Sequence, residues 1–132
     1  MEHQLTLAIT PVYAAVLALF FLHLSMRVGK MRQVKRISIG SAGDAELERA
    51  ARVQGNCAEY MPIASLLFAF AEMMGAQGWL VHGLNLAFLI GRLAHYHGTK
   101  SADTPMKFRF TGMMLTFAAI ATGAVTILVL GA

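Results

Sequence analysis

Apolar positions run almost unbroken from residue 5 to residue 26, and the next formal charges come together at Arg27, Lys30, Arg32, Lys35 and Arg36. A hydrocarbon core about 30 Å thick is crossed by about 20 apolar helical residues. The pattern therefore predicts a transmembrane helix over 5–36 whose basic end lies in the interface. Residues 37–43, with their Ser and Gly, predict a loop. Asp44 stands where an N-cap belongs, and Glu46 and Glu48 follow in the first turns, where acids suit the helix dipole. The helical pattern then continues over 45–74. At 1.5 Å per residue that element is about 45 Å long, so its first turns should project into water. Pro62 removes one backbone hydrogen bond inside it and predicts a bend. Residues 75–78 form an uncharged turn, and Trp79 begins the next span at the depth of an aromatic belt. The third helix is expected over 79–98, a polar loop with Pro105 over 99–107, and the fourth helix over 108–130. Ala119 and Gly123 form a small-xxx-small pair that permits close helix contact. The expected fold is all-α, one integral membrane domain of four helices spanning residues 1–132.

Composition strengthens this picture. Apolar residues make up 57% of the 132 and charged residues 14%, against about 25% charged in soluble domains. Mean hydropathy is +0.58. A soluble fold would leave large apolar patches in water, which soluble proteins avoid. The net charge of +4 does not imply nucleic acid. All eleven Lys and Arg fall within 27–52 or 92–109, flanking apolar spans rather than forming a compact basic face. The positive-inside rule then puts loops one and three in the cytoplasm and both termini outside. The start, Met1-Glu2-His3, lacks a basic n-region and a cleavage site, so the first span reads as a retained helix. Cys57 is the single cysteine and excludes an intramolecular disulfide.

Ionisable groups in or near the spans are the candidate chemistry, because charge in a bilayer is costly and such residues face a bundle interior. Arg52, Asn56 and Glu59 are spaced four and three apart and share one helical face, with Glu48 and Arg49 one turn earlier. Arg92, His95 and Thr99 share a face of the third helix. Arg109 opens the fourth helix, and Arg32 lies near the end of the first. Several cations with one carboxylate suit an anionic, zwitterionic ligand. Guanidinium forks match carboxylates, Glu59 can take an ammonium, and Asn56 can read an amide through both its donor and its acceptor. The competing reading is structural: an intramembrane salt-bridge network of Arg52 and Glu59, a snorkelling Arg92 and an interface His95. His95 and His97 lie too far apart around a helix to share a metal. Glu72 reads as a solvated interface carboxylate, and Cys57 and the Met residues as packing.

The stretch Arg52-Val53-Gln54-Gly55-Asn56-Cys57-Ala58-Glu59-Tyr60-Met61-Pro62 resembles the signature of the MAPEG family (membrane-associated proteins in eicosanoid and glutathione metabolism), and is most similar to its leukotriene-forming branch. Gly91-Arg92-Leu93-Ala94-His95-Tyr96-His97-Gly98 resembles the family's third-helix segment. The resemblance implies a homotrimer with glutathione held between neighbouring subunits near the cytoplasmic face. It implies glutathione contacts for Arg32, Arg52, Gln54, Asn56, Glu59, Tyr60, Arg92 and His95. It also implies a thiolate-stabilising arginine at the start of the fourth helix, for which Arg109 is the candidate and Lys107 the near alternative. A free thiol has a pKa of about 8.5, which a nearby cation lowers. The thiolate could then attack a hydrophobic electrophile arriving from the bilayer, or reduce a lipid hydroperoxide. The expected activity is thus a membrane-bound glutathione transferase, with a bacterial inner membrane as the expected location. Thr99 stands where the family often has a second Tyr. That departure supports the alternative of a non-enzymatic glutathione- or lipid-binding protein of the same fold. A third reading is a small transporter or purely structural bundle.

Overall fold

A computed structural model describes residues 6–132. Four helices follow one another: α1 (Thr10–Lys35), α2 (Ala45–Met73), α3 (Gly78–Thr99) and α4 (Met106–Gly131), with no strand among the described residues. α2 and α3 touch each other and both outer helices, whereas α1 and α4 do not meet. The helices carrying ionisable residues thus occupy the short diagonal of the bundle. The two helices long and apolar enough to cross a membrane by length and composition, α1 and α4, flank them. Large apolar side chains cover the outside, among them Leu19, Leu22, Phe110 and Leu128. That is the surface a bilayer solvates, and it would be a liability in water.

The start of α1 departs from the expectation. Its predicted first residue, Leu5, lies outside the described residues, and residues 6–9 are not helical. Ile9 at the N-cap offers no side-chain cap, leaving the first backbone N–H groups without internal partners. Glu72, in the last turn of α2, supplies them. Its carboxylate accepts from the N–H of Ala8 at 2.9 Å, Ile9 at 2.6 Å and Thr10 at 2.8 Å. The expectation of a solvated Glu72 is therefore wrong. The charge sits at the positive end of the α1 dipole and ties the two helices together.

Loop one is tied down at the basic end. Arg36 takes the left-handed conformation (φ 56°) and, with Ile37, turns its N–H back to the Arg32 carbonyl. Arg32 donates through Nη1 to the carbonyls of Gly40 at 2.8 Å and Ile37 at 3.3 Å. Asp44 caps α2 as its position predicts, accepting from the Leu47 N–H at 2.9 Å. The same carboxylate meets the Lys35 ammonium at 2.9 Å, and Glu46 meets it at 3.2 Å.

Inside, Leu17, Ala64, Phe68, Leu84, Phe88 and Ala119 form the main core, with Phe68 and Phe88 edge to face at 6.1 Å. Leu24, Val53 and Cys57 form a second cluster. Ala119 and Gly123 are both buried, and a Cβ at Gly123 would meet the Phe68 ring at 3.2 Å. The tightest approach lies elsewhere, between α3 and α4. A Cβ on Gly112 would stand 2.5 Å from the Gly91 carbonyl oxygen and 2.6 Å from the His95 nitrogen. A Cβ on Gly91 would stand 2.9 Å from the Gly112 oxygen, and one on Gly98 would collide with the Arg109 backbone. Three glycines thus let two backbones approach where any side chain would hold them apart.

Gly112→Ala is expected to lower stability by about 1–3 kcal/mol or more, since backbone atoms cannot yield to the added methyl. Gly83→Ala, with nothing within 4 Å of its Cβ, should be neutral or slightly stabilising. Thermal midpoints of the two variants in detergent test the contrast.

The Leu47 N–H, followed by the Lys35 ammonium, holds the Asp44 carboxyl below its ordinary range. A depressed folded value means that the contribution is complete above the unfolded pKa of about 3.9 and is lost as pH falls through the folded one. Asp44→Ala should therefore lower the thermal midpoint at pH 7, and its gap from wild type should narrow below about pH 4.

Candidate functional site

The polar cluster predicted on α2 and α3 separates in space into a buried network and an open cleft. Arg92 is the centre of the network and only 1% exposed. Its Nη1 donates to Asn56 Oδ1 on α2. Its Nη2 donates to Thr116 Oγ1 on α4 at 2.7 Å and lies 3.3 Å from Met113 Sδ. The guanidinium also stands over the rings of Tyr60 at 5.6 Å and Phe88 at 5.7 Å. Arg92 therefore neither snorkels nor lines the cleft of the single subunit. The reason is the α3–α4 approach at Gly91 and Gly112, which brings Thr116 within reach of the next residue after Gly91. Thr116 itself donates to the Gly112 carbonyl at 2.8 Å, so it meets Arg92 as an acceptor.

Asn56 is also buried. Its oxygen accepts from Arg92, so part of its amide is engaged within the bundle. His95 is 3% exposed, with its backbone against Gly112, and is absent from the cleft wall. Tyr60 is half-buried and packs edge to face on Phe117 at 5.7 Å.

The cleft, of about 330 Å³, lies at the basic end, where α2 begins, α3 ends and α4 begins. Ala45, Glu48, Arg49, Arg52, Thr99 and Arg109 line it. Among the described residues, none of its three guanidinium groups is ion-paired within the subunit. Thr99 is buried, and its hydroxyl has no partner. Three free cations, one carboxylate and an unsatisfied hydroxyl suit an anion with several oxygens.

Three further predicted residues, Gln54, Arg32 and Glu59, do not line this cleft. Gln54 faces α1, where its Nε2 lies 3.4 Å from Ser25 Oγ. Arg32 is spent on loop one. Glu59 is exposed on the outward face of α2, without an ion pair among the described residues, beside Ile63 and Leu66. The alternative of an Arg52–Glu59 network locking helices together is therefore absent among the described residues of a single subunit. Sequence reasoning missed Thr116 and Met113, which look like ordinary small or apolar residues of an apolar span. Only the spacing Gly112-x-x-x-Thr116 hints that a polar atom sits one turn from a close contact.

An antiparallel bundle with an apolar exterior, a buried cation and a cation-lined cleft at its basic end defines an integral membrane four-helix protein. Comparison with known proteins agrees. The MAPEG family model matches residues 10–129. The chain is 38% identical over 112 residues to "Inner membrane protein YecN" of Escherichia coli strain K12, covering 85% of this chain and 84% of that protein. The protein of the same name from Escherichia coli O6:H1 matches to the same extent. The chain belongs to the MAPEG family.

Thr116→Val keeps the shape but leaves Nη2 of Arg92 without its oxygen acceptor. The expected cost is about 1–3 kcal/mol, the scale of an unmade hydrogen bond to a buried charge. It should be visible as a lower thermal midpoint that Thr116→Ser restores.

Proposed function

We propose that this protein is a glutathione-dependent transferase of the inner membrane, joining the glutathione thiolate to hydrophobic electrophiles that arrive through the bilayer. The observation that carries the reading is the open cleft in which Arg49, Arg52 and Arg109 stand unpaired beside the buried Thr99 hydroxyl. Glutathione has two carboxylates, two peptide bonds, one ammonium and a thiol. Guanidinium groups match the carboxylates, and an unpaired Glu59 matches the ammonium. Membership of the MAPEG family supports the same substrate class.

A homotrimer is part of the proposal. Glu59 lies about halfway along α2 on a face that also carries Ile63, Leu66 and Phe70. A carboxylate facing lipid there costs at least a few kcal/mol, about what a neighbouring copy and a bound ammonium would offset. Arg32 and Gln54, which face the α1 side of the subunit, would then belong to the site shared with the next copy. Loops one and three would face the cytoplasm, which supplies the peptide, while the apolar exterior admits the electrophile.

Arg109 is the proposed thiolate-stabilising group. It is exposed at the start of α4, lines the cleft and makes no ion pair among the described residues. Its charge favours the ionised thiol and stabilises the sulfur as it attacks. Arg109→Ala is expected to bind glutathione within a few-fold of wild type while kcat toward an aryl halide falls about tenfold or more. Calorimetry and initial rates on the detergent-solubilised protein measure both. A variant at the wild-type rate removes Arg109 from the role. A wild type that binds glutathione but turns over no electrophile in a broad panel makes the protein a binder instead.

A further inference from the structure

From Thr10 to Met26, α1 carries no Lys, Arg, Asp or Glu. That stretch is about 25 Å long at about 1.5 Å per residue, so Arg27 stands where a hydrocarbon core gives way to headgroups. Phe20, His23, Arg27, Lys30 and Val34 recur every three or four residues and share one face of α1. Leu93, Tyr96 and Lys100 do the same at the end of α3. The two faces meet. The Tyr96 ring stands edge to face with Phe20 at 5.8 Å and with His23 at 6.4 Å. The Arg27 guanidinium lies 5.6 Å from the centre of that ring, and the Lys100 ammonium lies 5.6 Å from it as well.

Two cations thus share one aromatic ring, whose attraction offsets only part of their repulsion. Among the described residues neither makes an ion pair or a hydrogen bond, and the Tyr96 hydroxyl has no partner. Nη1 of Arg27 is enclosed and meets no acceptor, which is a costly state for a charged donor. Arg27 also lines a cavity of about 300 Å³ with Lys30, Met31, Val34, Lys35 and Glu46. The carboxylate there, Glu46, is engaged by Lys35 at 3.2 Å. This cavity shares no residue with the cleft of Arg49, Arg52 and Arg109. Deeper along the same seam the exposed residues are apolar: Val16 on α1, and Leu86 and Leu93 on α3.

We propose that the α1–α3 seam binds an anionic phospholipid of the leaflet at the basic end of the bundle. Its phosphate oxygens accept from Arg27 and Lys100 and from the Tyr96 hydroxyl, and Lys30 adds charge at the rim. Its acyl chains lie along Val16, Leu86 and Leu93. A soluble phosphate would answer the cations and leave the apolar half of the seam unused. A zwitterionic lipid would bring its own cation to a place that already holds two. Basic pockets between helices at headgroup depth suit anionic lipids for these reasons. The site is separate from the glutathione cleft and does not depend on that reading.

Native mass spectrometry of the full-length protein in an uncharged detergent tests this, with phosphatidylglycerol and phosphatidylcholine of identical chains as probes. The wild type is expected to bind phosphatidylglycerol about tenfold or more tighter than phosphatidylcholine. Lys100→Gln, a change at an exposed side chain, should reduce that preference severalfold. Arg27→Gln combined with Lys100→Gln should reduce it about tenfold or more. Lys107→Gln removes the same charge at the same end but on α4, and should bind phosphatidylglycerol as the wild type does. Equal affinity of the wild type for the two lipids overturns the proposal. So does a loss in Lys107→Gln as large as in Lys100→Gln, because the basic end would then attract negative charge without a site. Displacement of phosphatidylglycerol by an equal concentration of glycerol phosphate overturns the lipid as occupant and leaves a site for free phosphate. If the double variant does not fold, Lys100→Gln decides: phosphatidylglycerol binding undiminished in that variant overturns the proposal.

Discussion

Arg92 brings a positive charge into the interior of a bundle surrounded by lipid, and among the described residues no carboxylate meets it. Isolated charges in a low-dielectric interior are costly, and the cost is tolerated only when the geometry of the surrounding acceptors is good. Here the acceptors are an amide oxygen from α2, a hydroxyl from α4 and two aromatic faces. All must converge on one side chain of α3. That requirement sets the spacing of three helices, and the glycines at 91, 98 and 112 exist in a place where it can be met. With an ordinary side chain at position 112, Thr116 would stand too far out to reach the guanidinium.

The same side chain divides α2 into two working faces. The inward face carries Val53, Asn56 and Cys57 into the interior, while the outward face carries Arg52, Glu59 and then Ile63, Leu66 and Phe70. Asn56 is buried and accepts from Arg92 through its oxygen. The buried network thus stays apart from the cleft, whose cations make no ion pair among the described residues. Site groups held by packed helices keep their geometry better than groups on loops. The ends of the bundle are secured separately, by Glu72 on the start of α1 and by Arg32, Lys35 and Asp44 around loop one.

Much of this architecture can be read along the chain. Charge-free runs separated by basic or Gly-rich segments specify four helices, because only an internally hydrogen-bonded helix of that length is stable in lipid. The Asp44 cap is legible because capping is a local interaction between residues three apart. The spacing of Arg52, Asn56 and Glu59 marks a polar face for the same reason, and the motif around it is specific enough to carry the family.

What the sequence could not specify is which polar residue meets which. The spacing of Arg92, His95 and Thr99 put them on one face, yet one is spent on Asn56 and Thr116, one is buried against Gly112, and one leaves its hydroxyl at the cleft. Glu72 reads as a solvated acid because its three partners lie more than sixty residues away, as backbone N–H groups that leave no mark in a sequence. Helical periodicity is a property of neighbours within one turn and was determined by the sequence alone. The pairing of α3 with α4, the bond between Arg92 and Asn56 and the opening of the cleft depend on backbone approach between distant segments, and only the tertiary structure decided them.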